Sequence, residues 1–172
     1  MEKMSTGYGT QLTRQIGEHL VVAKLGRRRI LATPFAGNVP DYDLLASDLS
    51  GHPLPLQVKA INGLSWQFNA SSFLQIDSEG DRQIIRGKKK LPNSNLICVL
   101  VILNKNENDA FYILRKGDLQ EIIFQKYTSK ARNGVRVRPK NPKSTHCTIW
   151  PEDLGPFLNN WNLITDHFDP IG

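Results

Sequence analysis

The spacing of hydrophobic positions changes from a helical to an extended pattern along the first third of the chain. Between residues 10 and 28, apolar residues recur three and four positions apart, at Leu12, Ile16, Leu20 and Ala23. This spacing predicts an amphipathic helix. Residues 29–35 then have the composition of a strand. The runs 43–48 and 54–61 are separated by Ser50-Gly51-His52, so we predict two strands paired through a turn.

The second half of the chain predicts a hairpin, two helices and polar loops. Apolar residues at 96–103 and 110–114 flank an asparagine-rich stretch, as in a hairpin. We predict a helix at 117–127, a strand at 145–150 and a last helix that begins at Pro151. Residues 77–95 are predicted as a long loop or a frayed helix, and 129–144 as an exposed loop. The alternating segment 66–68 is a candidate to extend the sheet.

This order of elements predicts an α/β protein with a central mixed sheet flanked by helices. With 172 residues, we expect a single domain over 1–172, with a C-terminal strand and helix at 145–172. No stretch approaches the roughly 18 to 20 apolar residues that span a bilayer. The N-terminus lacks a signal-peptide pattern, and two cysteines do not make a disulfide scaffold. We therefore expect a cytoplasmic protein without a membrane partner.

Positive charge is concentrated in a few segments of the chain. The net charge is +6, and residues 122–151 contain no acid but seven lysines and arginines. A surface of one sign attracts polyanions, although a solubilising face is the simpler interpretation of any single run. We predict that nucleic acid, expected to be DNA, contacts two segments. These are the lysine run at residues 88–90 and the basic loop at 129–144. The predicted contact residues are Lys88, Lys89, Lys90, Lys130, Arg132, Arg136, Arg138 and Lys140.

A polar triplet at the end of an apolar strand is the strongest chemical signal. In Gln57-Val58-Lys59, alternation places Gln57 and Lys59 on one face of the strand and Val58 on the other. Asp43 opens the preceding apolar run. A carboxylate, an amide and an ammonium can therefore meet at one edge of a hairpin, where they could hold a divalent metal against a phosphate. Each residue also has an ordinary interpretation, such as a lysine that reaches solvent or an acid that begins a strand.

These residues lie in an order that resembles the PD-(D/E)XK nuclease superfamily, which includes many restriction endonucleases and the archaeal Holliday junction resolvases. The resemblance rests on Gly17-Glu18 in a helix, Asp43 at the start of a strand and Gln57-Val58-Lys59 in its partner. It covers roughly residues 11–68. It implies a restriction-endonuclease-like core and metal-dependent cleavage of DNA, and resolvase-like relatives suggest a homodimer.

The resemblance also implies a role for each residue. Asp43 is the principal ligand of Mg²⁺ or Mn²⁺, the side-chain oxygen of Gln57 takes the place of a second acid, and the carbonyl of Val58 is a further ligand. Glu18 supports the metal directly or through water. Lys59 orients or activates the attacking water and stabilises charge at phosphorus, a kind of electrostatic contribution worth roughly 3 to 4 kcal/mol elsewhere.

The sequence departs from the family pattern where Gln57 replaces an acid. This removes a formal charge, which leaves open an inactive relative that binds nucleic acid without cleaving it. A third interpretation is an interaction domain in which Asp43 and Lys59 form a structural ion pair. Asp41 is an alternative to Asp43, because the two share a strand face if the strand begins early.

Overall fold

The structure is a computed structural model that describes residues 6–168, the side chains of residues 6–8 and 38 excepted. The chain divides into two compact units, and each is discontinuous in sequence. Unit 1 contains the residues up to 64, together with 96–115 and those from 154 onward. Unit 2 contains 65–95 and 116–153. The expectation of a single domain over 1–172 stays a prediction.

Strands predominate over helices among the elements of residues 6–168. The first half contains α1 (Thr6–Gly26), β1 (Leu31–Val39), β2 (Tyr42–Ser47), β3 (Pro53–Ile61), β4 (Trp66–Asn69), a 3-10 helix (Ala70–Ser72), β5 (Leu74–Glu79) and β6 (Arg82–Lys88). The second half contains β7 (Ile97–Ile102), β8 (Ala110–Arg115), α2 (Lys116–Thr128), β9 (Val135–Val137), β10 (His146–Ile149), a 3-10 helix (Pro151–Phe157) and α3 (Asn162–Phe168).

Unit 1 is built on a mixed five-stranded sheet with the strand order β1-β2-β3-β7-β8. All neighbours are antiparallel except β3 and β7, which run parallel with Val58 opposite Val99. The core of this unit joins Val21 of α1 and Ile164 of α3 to the buried residues of the central strands. The predicted α/β class, a central mixed sheet flanked by helices, is confirmed. The strands at 43–48 and 54–61 and the hairpin of β7 and β8 were also predicted correctly.

Unit 2 has two small antiparallel sheets, β10-β4 and β5-β6-β9, with α2 close to its predicted bounds. The predicted loop or frayed helix at 77–95 is wrong, because β5 and β6 form a hairpin there. The chain reverses at Gly80, whose φ is 58°, and Ile76 pairs with Ile85. Only some positions of these strands are buried, so their apolar pattern is weak in the sequence.

Three further predictions need correction. The expected loop 129–144 contains β9, which pairs with β6. Residues 66–68 do not extend the central sheet, because β4 pairs with β10 instead. Pro151 begins a 3-10 helix, and α3 begins only at Asn162. A second proline inside that 3-10 helix, Pro156, lacks the amide hydrogen that a continuous α-helix would use.

Within residues 6–168, no helix is both long and apolar enough to cross a membrane.

Candidate active site

Helix α1 approaches strand β3 at a glycine. A Cβ atom built on Gly17 would lie 2.3 Å from the Cβ of Ala60, closer than side-chain atoms can pack. The absence of a side chain at Gly17 therefore allows the helix backbone to lie directly against the strand. The next residue, Glu18, is buried, with an exposure of 7%. The Gly17-Glu18 pair thus positions a carboxylate beside the sheet.

Arg14 joins the carboxylates of Glu18 and Asp43. Its Nε donates to Glu18 Oε1 at 2.8 Å, and its Nη2 donates to Asp43 Oδ1 at 2.9 Å. The two carboxylate side chains are 10% and 14% exposed, whereas the arginine is 50% exposed. The hydrogen bond to Glu18 is the largest of the effects that raise the pKa of Arg14. A single cationic group therefore already lies between an acid of α1 and an acid of β2.

Asp43 is also bonded to the backbone of β3. Its Oδ2 accepts a hydrogen bond from the N–H of Val58 at 2.9 Å. Leu44 and Leu56 are the last paired residues at this end of the β2–β3 ladder, and Asp43 immediately precedes Leu44. The N–H and C=O of one residue leave a strand on the same side, so the Val58 carbonyl also faces the β2 side. Asp43 is thereby fixed to the central residue of the Gln57-Val58-Lys59 triplet.

Asp41 occupies a different position from Asp43. It is exposed and has a φ of 66°, a left-handed conformation that suits a turn residue. It lies in the turn between β1 and β2, before the first residue of β2. The expectation that Asp41 and Asp43 share a strand face is therefore not met.

The amide of Gln57 is directed to the neighbouring parallel strand. Its Oε1 accepts a hydrogen bond from Cys98 Sγ at 3.6 Å, and the two residues are opposite each other in the ladder of β3 and β7. The contacts that join Glu18, Asp43 and Val58 therefore do not include the Gln57 side chain.

Lys59 follows Val58 and lies on the same strand face as Gln57, as the alternation predicts. It is half-buried, and this burial lowers the pKa of its ammonium group. The proton of Lys59 is therefore held less tightly than that of a solvated lysine.

The oxygen atoms of this region suit a hard cation. Two carboxylates, an amide oxygen and a backbone carbonyl are donors of the kind that Mg²⁺ prefers, and Mg²⁺ keeps several waters when proteins bind it. Glu18 and Asp43 share one guanidinium, so the two carboxylates lie close to each other. Within residues 6–168, no three His, Cys, Asp or Glu side chains form a metal-binding group. Any metal bound here would therefore depend on the two carboxylates together with amide and carbonyl oxygens.

Arg14 was not among the residues predicted from the sequence. The one available signal was its position four residues before Glu18, a spacing at which opposite charges on a helix attract. Its contact with Asp43 spans 29 positions of sequence and depends on the tertiary fold.

All the residues predicted to contact nucleic acid lie in unit 2, whereas Glu18, Asp43, Gln57 and Lys59 lie in unit 1. Two of the predicted lysines are engaged locally. Lys88 forms an ion pair with Glu121 at 2.6 Å, and Lys89 donates to the carbonyl of Ser71 at 2.6 Å. Lys90, Lys130, Arg132 and Lys140 are exposed, and Arg136 and Arg138 are half-buried.

No protein-family model matches this chain. No curated protein matches it either. Among solved structures, the chain is similar to the bacterial homing endonuclease I-Ssp6803I, with 16% sequence identity and a TM-score of 0.49. The similarity covers 94% of this chain and 97% of that protein.

Proposed function

We propose that this protein is a metal-dependent endonuclease that hydrolyses DNA phosphodiester bonds, with Mg²⁺ or Mn²⁺ as its cofactor. The observation that supports this proposal is the convergence of three elements. Arg14 joins Glu18 to Asp43, and Asp43 in turn binds the backbone amide of Val58, between Gln57 and Lys59. Hydrogen bonds thereby connect the helical glutamate, the acid and the backbone of the triplet, which supports the proposal. A homodimer and a cytoplasmic location stay expectations from the sequence.

In this proposal, Asp43 and Glu18 would hold the metal, with the Val58 carbonyl as a further donor. The Gln57 amide oxygen would join them after turning away from Cys98 Sγ. A bound metal would supply a more acidic water and draw charge from the phosphoryl oxygens. The protein side chains do the remaining work. Lys59 would place its ammonium beside the phosphate, where negative charge increases as water adds to phosphorus and the bond to the leaving oxygen breaks. Displacement of Arg14 from both carboxylates would accompany cation binding.

The decisive experiment measures Mg²⁺-dependent cleavage of plasmid and branched DNA by the wild type and by Asp43→Asn. Asparagine keeps an oxygen for the Val58 amide but removes the charge, so the fold should persist. We expect cleavage to fall by about 100-fold or more. Glu152→Gln removes an exposed acid of unit 2 and serves as the matched control. Equal product from the wild type and Asp43→Asn would contradict the proposal.

A second measurement follows metal binding without cleavage. Calorimetric titration with Mn²⁺ is expected to show binding to the wild type that weakens at least tenfold in Asp43→Asn, since a carboxylate ligand is lost. The affinity of Glu152→Gln is expected to equal that of the wild type. Metal binding that is independent of Asp43 would place the cation elsewhere.

A second candidate function is binding of nucleic acid without cleavage. It is favoured by the engagement of both Asp43 oxygens with protein donors and by the neutral Gln57 at a position that is usually acidic. A salt titration tests binding by itself. If the basic residues contact phosphates, log affinity should fall with log salt by roughly 0.9 for each phosphate contacted on duplex DNA. A strong salt dependence with no cleavage under any divalent cation would establish this second function over the first.

A further inference from the structure

Unit 2 contains a concave pocket of about 220 Å³ where α2, β9 and β10 come together. Lys126 lies in the last turn of α2, and Lys130 lies just beyond the end of that helix. Its lining also includes Arg136, Arg138, His146 and Cys147. The pocket contains none of the candidate-site residues Glu18, Asp43, Gln57 and Lys59, which belong to unit 1.

The charge of the pocket is largely uncompensated. Lys126 forms an ion pair with Asp153. Among residues 6–168, no carboxylate lies within ion-pair distance of Lys130, Arg136 or Arg138. Burial raises the pKa of Cys147, so this thiol stays neutral near pH 7 and does not offset the cations. Three positive groups therefore face a concave space, a shape that concentrates their field.

The arginines are held in place by buried polar groups. The guanidinium of Arg136 lies 4.3 Å from the centre of the Tyr127 ring, and the Tyr127 hydroxyl donates to Gln83 Oε1 at 2.5 Å. Gln83 is fully buried, and its Nε2 donates to the carbonyl of Ser144 at 3.0 Å. Arg138 donates to the same carbonyl. These contacts restrain both arginines, which lowers the entropy lost when an anion binds.

We propose that this pocket binds one phosphate group of a nucleic-acid strand. The volume is below the roughly 300 to 1,000 Å³ of pockets for drug-sized ligands, which favours a single small anion. Guanidinium groups bind phosphate oxygens through paired hydrogen bonds, and a neighbouring ammonium adds charge. The assignment of the phosphate to a nucleic-acid strand rests on the proposed function, whereas the binding of phosphate as such does not.

The test uses ¹H–¹⁵N spectra of the full chain, titrated with inorganic phosphate at constant ionic strength. We expect amide shifts to be largest around Tyr127, Arg136 and Cys147. In the double variant Lys130→Gln/Arg136→Gln, affinity should fall by roughly tenfold or more, as expected for the loss of charge-assisted hydrogen bonds. Lys130→Gln alone, at an exposed residue, should show a smaller loss in the same direction and guards against a folding defect in the double variant.

The double variant Arg27→Gln/Lys105→Gln is a matched control, because it removes one arginine and one lysine that are exposed in unit 1. Its phosphate affinity should equal that of the wild type. Shifts that spread over both units, or an equal affinity in the two double variants, would overturn the proposal.

Two oligonucleotides of one sequence, with a 5′-phosphate or a 5′-hydroxyl, distinguish the source of the phosphate. A preference for the 5′-phosphate that Lys130→Gln/Arg136→Gln abolishes would assign the pocket to a terminal phosphate. Equal binding of both strands, weakened equally by the double variant, would assign it to an internal phosphodiester. Binding of either strand that is unaffected by the double variant would overturn the inference.

The outcome is separable from that of the cleavage experiment. Phosphate binding should be unchanged in Asp43→Asn, because the pocket contains no residue of unit 1. A protein that binds phosphate in the pocket but cleaves no DNA would therefore retain this inference and lose the proposed function.

Discussion

Gly17 of α1 lies so close to Ala60 of β3 that a methyl group on the glycine would be 2.3 Å from the alanine Cβ. Both positions belong to regular elements, so neither backbone can shift without disturbing its neighbours. This contact sets the distance between the helix that carries Arg14 and Glu18 and the strand that carries Lys59.

The variant Gly17→Ala should therefore destabilise the protein by about 1 to 3 kcal/mol, the usual cost of overpacking, despite the better helix propensity of alanine. Urea unfolding followed by circular dichroism measures the change. Gly9→Ala is the matched control, because a Cβ at Gly9 would have no neighbour within 4 Å. That control should be neutral or slightly stabilising. A Gly17→Ala protein as stable as Gly9→Ala would contradict the close contact.

Replacement of Arg14 by glutamine should strengthen the binding of a divalent cation by several-fold. The guanidinium hydrogen bonds with Glu18 and Asp43 must break when a metal occupies their oxygens, and the variant removes that competition. Without metal, we expect a loss of about 1 kcal/mol of stability, since two carboxylates then lose their shared cation. Calorimetry with Mn²⁺ and urea unfolding measure the two effects. Arg27→Gln, at an exposed residue near the end of the same helix, should change neither.

Lys59 should make stability depend on pH in the alkaline range. Burial lowers its pKa below the ordinary 10.5, so between these two pKa values the unfolded chain binds more protons than the folded chain. Stability contributed by Lys59 therefore rises with pH through this window, and the cost of its buried charge is fully present below it.

The measurement is urea unfolding of the wild type and Lys59→Met from pH 7 to above pH 10. We expect the wild type to gain stability relative to the variant as the pH rises. The same comparison with Lys105→Met, at an exposed lysine, is the matched control. A difference between the wild type and Lys59→Met that does not change with pH would be inconsistent with a desolvated ammonium at this position.

The variant Tyr127→Phe should destabilise unit 2 by about 1 to 3 kcal/mol, because it leaves the buried Oε1 of Gln83 without its donor. Thermal unfolding monitored by circular dichroism measures the loss. Tyr42→Phe provides a matched control, since Tyr42 is only half-buried and no hydrogen bond of its hydroxyl is found among residues 6–168. The pocket proposal also predicts weaker phosphate binding in Tyr127→Phe, as the ring beneath Arg136 becomes less firmly held.

The sequence was most informative where burial is nearly complete. The strand β7 is buried at every position, and its apolar run predicted both the strand and its hairpin with β8. In contrast, β5 and β6 expose most of their polar residues, so neither period 2 nor composition stands out. Their pairing depends on the turn at Gly80 and on long-range packing, which local patterns do not contain.

The candidate site was likewise predicted from the sequence only in part. Alternation correctly placed Gln57 and Lys59 on one face of β3, because that follows from strand geometry alone. The contact of Arg14 with Asp43 could not be predicted, since it depends on how α1 lies on the sheet. Similarly, the positive charge of the loop 129–144 was evident from the sequence. The pocket that Arg136 and Arg138 line together with the end of α2 was not.

The covalent path of the chain has a practical consequence. The backbone leaves unit 1 after residue 64, returns at 96, leaves again after 115 and returns at 154. Cleavage of the backbone at one position therefore cannot release either unit as a continuous polypeptide. A fragment that stops at residue 95 would lack β7 and β8 and would expose β3 as an unpaired edge, which invites aggregation. Dissection by truncation would confuse loss of structure with loss of activity, whereas point substitutions avoid that ambiguity.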